Sequence, residues 1–252
     1  MPAVSPFLLR TFSSYSRWYV ARHFHSVRLS VAGAPPRIEG LPLVIYLNHA
    51  SWWDPLICLL LQREFFTPRP AYAPIDNAAL SQYRFFAKLG FFGVEQHSAR
   101  GAGQFLRTAA DILRQPDSIL WLTPQGRFAD ARQRPAGFRT GLGHLPPRVG
   151  RAAFVPLAFE YVFWQERKPE VLCRFGTPEI IQAGAHRDWT THFEQQLAAT
   201  QDALATESLR RNPADFQPLL RSRSGVGLAY DTWRQWRARL SGRTFRPEHG
   251  KL

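Results

Sequence analysis

The 252-residue sequence has few cysteines and none of the familiar nucleotide or hydrolase motifs. Its two cysteines, Cys58 and Cys173, lie in apolar stretches without metal-ligand spacing. This argues against a disulfide scaffold and a cysteine-based zinc site, and it favours a reducing compartment. A Walker-type glycine-rich loop, Gly-x-Gly-x-x-Gly, His-Glu-x-x-His and Gly-x-Ser-x-Gly are all missing. Nucleotide hydrolysis, dinucleotide chemistry and serine hydrolysis therefore lose their usual support.

Long apolar runs are missing as well. The longest, Leu43–Leu47 and Leu56–Leu61, are far shorter than the roughly 20 residues that a membrane-spanning helix needs. We therefore predict no spanning helix. Arg10, Arg17 and Arg22 interrupt the N-terminal segment, so we predict no secretory signal either.

Acidic residues are scarce relative to basic ones. The chain has 32 Lys and Arg against 19 Asp and Glu, a formal net charge of +13, and its lysines are Lys88, Lys168 and Lys251. The excess lies in residues 1–40, in residues 205–252 and in an arginine-rich window from Arg100 to Arg151. This pattern predicts anionic partners, and on charge alone nucleic acid, anionic lipid and phosphorylated substrates all fit.

The apolar pattern predicts one α/β domain with a central, mostly parallel or mixed sheet and helices on both faces. Predicted strands cover residues 28–32, 43–47, 71–75, 91–95, 118–123, 152–162 and 170–175. Between them we predict a helix beginning near Trp53 and helices over 77–88, 102–114 and 189–209. We divide the chain into an N-terminal helix (1–27), a main domain (28–209) and a basic C-terminal appendage (210–252) with a helix at 227–240.

The N-terminal segment has the pattern of an amphipathic helix. Leu8, Phe12, Tyr15 and Tyr19 recur at helical spacing, and Arg10, Ser14, Arg17 and Ala21 fall on the opposite side. Two interpretations remain open. The helix could pack on its own domain, or it could lie in a membrane interface with its aromatic side toward the lipid and its arginines near anionic phosphates.

One pair of residues indicates chemistry. His49 follows the apolar strand 43–47, and Asp54 comes five positions later at the start of the next helix. The carboxylate can hold the imidazole through one ring nitrogen and leave the other free to take a proton. Because no Ser or Cys is paired with them, the nucleophile would be a hydroxyl or amine of the substrate.

The segment Asn48-His49-Ala50-Ser51-Trp52-Trp53-Asp54-Pro55 resembles the His-x4-Asp block of the glycerolipid acyltransferases, the PlsC-like lysophospholipid acyltransferase family. Three further stretches are similar to the family's other blocks, in the same order. They are Gly90-Phe91-Phe92-Gly93-Val94-Glu95 with Ser98-Ala99-Arg100-Gly101, then Thr123-Pro124-Gln125-Gly126-Arg127, and Phe154-Val155-Pro156-Leu157-Ala158.

The resemblance implies catalytic roles for His49 as general base and Asp54 as its orienting partner. It also implies that substrate is bound by residues of the first three blocks: Asn48, Ser51, Gly93, Glu95, Arg100, Pro124, Gln125, Gly126 and Arg127. In the third block Gln125 replaces the family's Glu, and Arg127 stands one position early in place of Thr or Ser. The acceptor is therefore expected to differ from lysophosphatidic acid, for example a glycosylated or amino-acid lipid.

By this resemblance the domain 28–209 would be an acyltransferase that moves a fatty acyl group from acyl-CoA or acyl carrier protein to a lysolipid-type acceptor. The Arg100 to Arg151 window would attract the anionic donor. We expect that the protein needs neither a cofactor nor a metal. We also expect it to be located peripherally on the cytoplasmic face of the membrane. The alternative is a non-catalytic lipid-binding relative. Nucleic acid is not expected as a partner, since the aromatic residues cluster in apolar strands and the N-terminal helix.

Overall fold

A mixed nine-stranded sheet forms the centre of the protein. The computed structural model describes residues 2–184 and 187–222. The strands are β1 (Ser26–Ser30), β2 (Leu43–Leu47), β3 (Ala71–Asp76), β4 (Phe91–Val94), β5 (Ile119–Leu122), β6 (Arg151–Val162), β7 (Glu170–Phe175), β8 (Glu179–Gln182) and β9 (Phe216–Arg221). Their order is β4-β3-β5-β2-β6-β7-β1-β9, and β8 pairs with β6. The α/β prediction with a mixed sheet is confirmed.

Helices cover both faces of this sheet. They are α1 (Pro6–His23), α2 (Asp54–Leu61), α3 (Asn77–Gln82), α4 (Phe85–Lys88), α5 (Ala99–Leu113) and α6 (Trp189–Arg210). A π-helical turn, Gln62–Phe66, continues α2, and short 3₁₀ turns lie at Val31–Gly33, Pro146–Arg148 and Pro213–Asp215. Side chains of α1 and α2 share one apolar cluster, and those of α5 and α6 share the cluster on the opposite face.

The apolar run of β2 lies at the middle of the sheet, between β5 and β6, and is buried along its whole length. Leu43, Ile45 and Leu47 point into the α1/α2 cluster, whereas Val44 and Tyr46 point into the α5/α6 cluster. This alternation follows from the two-residue repeat of a strand. A strand that is covered on both faces has a continuous apolar sequence, which is why β2 could be predicted.

Five neighbouring strands, β4, β3, β5, β2 and β6, run parallel to one another. Their carboxyl ends therefore meet at one edge of the sheet. In open α/β sheets, ligands bind at this edge, because the loops that follow the strands converge there. The blocks that contain His49, Glu95 and Gln125 all follow strands of this parallel set.

Several boundaries differ from the predicted ones. The helix predicted over 77–88 is two short helices separated at Tyr83. Strands β8 and β9 were not predicted, and β9 pairs antiparallel with β1. Strand β9 lies in the segment after residue 210, and the division of the chain at that residue stays a prediction. The helix predicted at 227–240 lies outside the described residues.

The burial pattern of α1 does not separate an apolar from a basic side. Ser13, Ser16 and Val20 are its buried residues, Phe12 and Tyr19 pack partly against the core, and the exposed residues include both aromatics and arginines: Phe7, Tyr15 and Trp18 as well as Arg10 and Arg17. The amphipathy of this helix stays a prediction. None of the helices in the described ranges combines the length and the apolar character that a membrane crossing requires.

Candidate active site

The two predicted catalytic residues are in contact. His49 lies two residues beyond the end of β2, and Asp54 is the first residue of α2. The imidazole Nδ1 and the Asp54 Oδ2 are 2.7 Å apart. Asp54 is 1% exposed, whereas the His49 side chain is 19% exposed. No hydrogen bond from the described part of the chain reaches Nε2, so an Nδ1–H that donates to Asp54 leaves the Nε2 lone pair available.

Asp54 receives hydrogen bonds at both carboxylate oxygens. The backbone N–H of Ser51 donates to Oδ2 over 3.1 Å, and the Tyr161 hydroxyl on β6 donates to Oδ1 over 2.5 Å. A buried carboxylate is costly unless its oxygens are hydrogen-bonded, and here they are. Burial, followed by the charge of Asp54 and the hydrogen bond to it, raises the pKa of Tyr161 well above its ordinary value. The hydroxyl is therefore a permanent donor.

The backbone around His49 is fixed by side chains from other strands and loops. Asn48, fully buried, donates from Nδ2 to the Phe159 carbonyl over 3.0 Å and accepts from the Phe159 N–H over 2.8 Å. These two bonds continue the pairing of β2 with β6 beyond the last residue of β2. The N–H of Ala129 donates to the His49 carbonyl over 2.8 Å. In this structure Asn48 thus holds the loop that contains His49.

Gln125 occupies the position at which the third block departs from the family pattern. Its side chain accepts a hydrogen bond from the His49 N–H at Oε1 over 2.7 Å and donates from Nε2 to the Ala136 carbonyl over 3.3 Å. The residue is 3% exposed. One amide group can accept at one end and donate at the other, which a carboxylate cannot do. Gln125 therefore suits a site that contains both an N–H and a carbonyl.

The rest of the third block forms a tight turn after β5. The Gly126 N–H donates to the Thr123 carbonyl over 2.9 Å, and Gly126 has φ +62°, a left-handed conformation that favours glycine. A Cβ at this position would lie 2.5 Å from the Arg139 Nε. The N–H of Arg139 in turn donates to the Pro124 carbonyl over 2.9 Å. The glycine therefore makes room for the Arg139 guanidinium.

The second block covers strand β4 and the first residues of helix α5. A Cβ on Gly93 would lie 1.9 Å from the Asn77 Oδ1, so a larger residue there would displace the Asn77 side chain. Ser98 caps α5 by accepting a hydrogen bond from the Gly101 N–H over 2.9 Å. Glu95 and Arg100 are exposed.

A cavity of about 460 Å³ opens at the carboxyl ends of β3, β4 and β5. Its charged and polar lining includes Asp76, Glu95, His97 and Arg139. The third block contributes Pro124 and Gly126 to its wall, whereas Arg100, Arg127 and His49 are not part of the lining. Because β5 is the direct neighbour of β2, the cavity lies beside the His49 loop on the same edge of the sheet.

The sequence reasoning missed four residues around the site: Phe128, Arg139, Asp76 and Tyr161. The Phe128 ring lies beside the His49 imidazole, tilted by 46°, with 4.4 Å between ring centroids, and Phe128 is 56% exposed. Phe128 and Arg139 belong to the loop after β5, which lies inside the arginine-rich window from Arg100 to Arg151, and that composition is the signal that could have pointed to them. Nothing local in the sequence connects Tyr161 with Asp54, since 107 positions separate them.

Helix α1 packs on the segment that contains the His49–Asp54 pair. The Trp53 ring stacks on Tyr19 with 5.3 Å between centroids and meets Phe24 edge-on at 4.9 Å. His23 lies beside the same ring at 5.1 Å. Trp53 precedes Asp54, so these aromatic contacts help to fix the start of α2 and thereby the carboxylate.

No group of three or more His, Cys, Asp or Glu side chains in the described ranges is arranged to hold a metal ion. Burial raises the pKa of Cys58 and of Cys173, and Asp54 adds to both shifts. These thiols remain protonated at neutral pH and do not supply a nucleophile.

Comparison with known proteins identifies the family. The family model described as "Acyltransferase" matches residues 28–160, more than half of the chain. A search of curated proteins finds no match. The matched range contains the His49–Asp54 pair, the turn with Gln125 and all of the residues that line the cavity. The chain belongs to the acyltransferase family, the PlsC-like lysophospholipid acyltransferases.

Proposed function

We propose that this protein transfers a fatty acyl group from acyl-CoA or acyl carrier protein to the hydroxyl or amine of a lysolipid-type acceptor. The observation that carries the proposal is the contact of His49 Nδ1 with the buried Asp54 carboxylate, 2.7 Å long. It leaves Nε2 as a base at the sheet edge where the cavity opens. Membership of the acyltransferase family supports the class of reaction.

In the proposed mechanism His49 acts as general base. Its Nε2 takes the proton of the acceptor O–H or N–H while the acceptor atom attacks the thioester carbonyl. Asp54 stabilises the imidazolium that forms. The tetrahedral intermediate collapses, the C–S bond breaks, and the imidazolium returns the proton to the leaving thiolate. The products are the acylated lipid and the free thiol of the carrier.

The residues that line the cavity favour an acceptor lipid whose headgroup contains both an anionic group and hydroxyl groups. Arg139 lines it and has no ion-pair partner among the residues that the structure describes. Its guanidinium is suited to a phosphate oxygen, to which it can donate two parallel hydrogen bonds. Asp76 and Glu95 on the same lining are acceptors for hydroxyl or ammonium protons. A headgroup with hydroxyls or an amine beside a phosphate would match this combination.

The test of the proposed function is an assay of the purified protein with acyl-CoA or acyl carrier protein thioesters and a panel of lysolipids. The panel should include lysophosphatidic acid, a glycosylated lysolipid and an amino-acid lysolipid. We expect thiol release together with one new acylated lipid, detected by mass spectrometry. Lipid binding without thiol release for any donor and acceptor would instead support the non-catalytic relative.

We expect Arg139→Ala to raise the KM of the phosphate-bearing substrate roughly 10- to 100-fold, because a charge-assisted contact is lost. KM is measured separately for donor and acceptor, and the substrate whose KM rises is the one that Arg139 binds. Arg100→Ala, which removes the arginine of the second block outside the cavity, should have a smaller effect. Arg107→Ala removes an exposed arginine elsewhere on α5 and is the matched control. Unchanged KM values in Arg139→Ala would contradict the role of Arg139.

We further propose that α1 attaches the protein peripherally to the cytoplasmic face of the membrane. Phe7 is 76% and Trp18 is 57% exposed, and Arg10 and Arg17 are exposed on the same helix. Exposed aromatic rings and arginines are the composition of an interfacial helix. The doubly substituted variant Phe7→Ala/Trp18→Ala should sediment several-fold less with vesicles of phosphatidylglycerol and phosphatidylethanolamine.

The matched control for this experiment is Phe163→Ala, which removes an aromatic ring that is 66% exposed outside α1. Equal sedimentation of all three proteins would contradict attachment through α1. Vesicles without phosphatidylglycerol separate the contribution of the arginines from that of the rings.

A further inference from the structure

Tyr161 makes a contact to which the proposed mechanism assigns no role. Its hydroxyl donates to Asp54 Oδ1 over 2.5 Å, whereas His49 and the Ser51 N–H use Oδ2. The residue lies one position beyond the family match, which ends at 160. Its contact with Asp54 is therefore a feature of this chain that the match does not supply.

The fold delivers this hydroxyl through the strand β6. Leu47, the last residue of β2, is paired with Leu157, so β6 extends past β2 and over the loop of the His49–Asp54 pair. Val155, Leu157, Phe159 and Tyr161 alternate onto the face that carries α2. Tyr161 is also paired across the sheet with Val171 of β7. The pairing of β6 with β2 on one side and with β7 on the other fixes the position of Tyr161.

We infer that Tyr161 is a positioning residue for catalysis: by holding Asp54 Oδ1, it fixes the plane of the carboxylate and limits the negative charge that Asp54 presents to His49. This inference rests on the proposed function of His49. Without the hydroxyl, Oδ1 would be a buried acceptor without a partner, and the carboxylate could rotate away from Nδ1.

The charged and titratable groups around the pair are few. His49 faces Asp54 and the Phe128 ring. Asp54 faces the Tyr161 hydroxyl and, from α2 and β7, the thiols of Cys58 and Cys173. On the α1 side, the imidazole of His23 lies against Trp53. Because burial raises the pKa of both thiols, the Tyr161 hydroxyl is the side-chain group that moderates the charge of Asp54, and the Ser51 N–H is the backbone group that does so.

The first test is Tyr161→Phe, which keeps the ring and its contact with Phe24, 5.9 Å between centroids. We expect kcat to fall on the order of tenfold with KM unchanged. We also expect the acidic limb of the kcat/KM profile to move to higher pH. A carboxylate without its hydrogen bond attracts the imidazole proton more strongly, so His49 becomes a free base only at higher pH. Tyr72→Phe, at another buried tyrosine of the sheet, is the control.

A second variant should displace the acidic limb of the kcat/KM profile in the opposite direction. Incorporation of 3-fluorotyrosine at position 161 keeps the fold and strengthens the donor, because fluorine makes the phenol more acidic. The acidic limb should then move to lower pH. A role in packing alone predicts no movement of the limb in either variant, and that result would overturn the inference.

The failure of the inference can be told apart from that of the proposed function. If the wild-type protein transfers acyl groups and both variants match it in kcat and pH profile, only the role of Tyr161 is refuted. If the wild-type protein transfers none, the proposed function fails. Titration of the His49 imidazole by nitrogen-15 NMR still tests the inference then, since opposite displacements of its midpoint in the two variants support it and unchanged midpoints refute it.

Discussion

His49→Ala should lower kcat by roughly 10²- to 10⁴-fold, because the general base is removed while the substrate-binding cavity is left intact. His49 does not line that cavity, so the KM values for donor and acceptor should change little. The measurement is steady-state thiol release, combined with mass spectrometry of the lipids in cells that produce the wild-type or the substituted protein. One acylated species should disappear.

The control for this substitution is His144→Ala, at an exposed histidine away from the site. Circular dichroism and thermal unfolding should show that both variants are folded. A His49→Ala protein that keeps most of its activity would eliminate the general-base assignment. If the wild-type and His49→Ala lipid profiles were indistinguishable, the protein would have to be regarded as a lipid-binding relative.

Restoring the family's glutamate by Gln125→Glu should destabilise the fold by about 2 to 4 kcal/mol at neutral pH. The carboxylate could still accept from the His49 N–H, as Gln125 does over 2.7 Å. It could not donate to the Ala136 carbonyl, which the amide reaches over 3.3 Å. A buried anion would instead face a carbonyl oxygen, and the two repel. Urea or thermal unfolding measures the loss.

The loss of folding stability in Gln125→Glu should depend on pH. Burial and the Ala136 carbonyl would raise the pKa of the introduced carboxyl above its unfolded value of about 4.3. Below that value the group is protonated in both states, and its O–H can donate to Ala136, so the variant should approach the wild-type stability. As pH rises toward the folded pKa, the unfolded state loses its proton first and stability falls. Gln182→Glu adds the same charge at an exposed position and is the control. A stability difference between Gln125→Glu and wild type that does not change with pH would contradict the argument.

The part of the site that could be predicted is the part that is local in sequence. His49 and Asp54 are five positions apart at a strand-to-helix turn, so the contact of 2.7 Å follows from their spacing once the elements are assigned. The parallel strands were predictable for a similar reason. The runs of β2 and β5 are apolar and buried throughout, because both faces of the sheet are covered at its centre.

The remaining contacts depend on how distant segments are packed. Tyr161 reaches Asp54 through the register of β6 against β2, and Arg139 reaches Gly126 through the path of a long loop. No local periodicity encodes either one. Strand β9 was missed because it is an edge strand that contains Pro218, and proline counts against a strand in a sequence pattern. Helices α3 and α4 were merged because the break at Tyr83 carries no glycine or proline.

The length of β6 has a consequence for folding. This strand spans 12 residues, and it holds the His49 segment twice, through Phe159 to Asn48 and through Tyr161 to Asp54, across 111 and 107 positions of sequence. Closing loops of that size costs conformational entropy that local helix formation does not. The chain can therefore regain most of its helical content during refolding while β6 does not yet hold the catalytic pair in place. Enzymatic activity should be the last property to return, which makes it a sensitive reporter of long-range strand pairing in this domain.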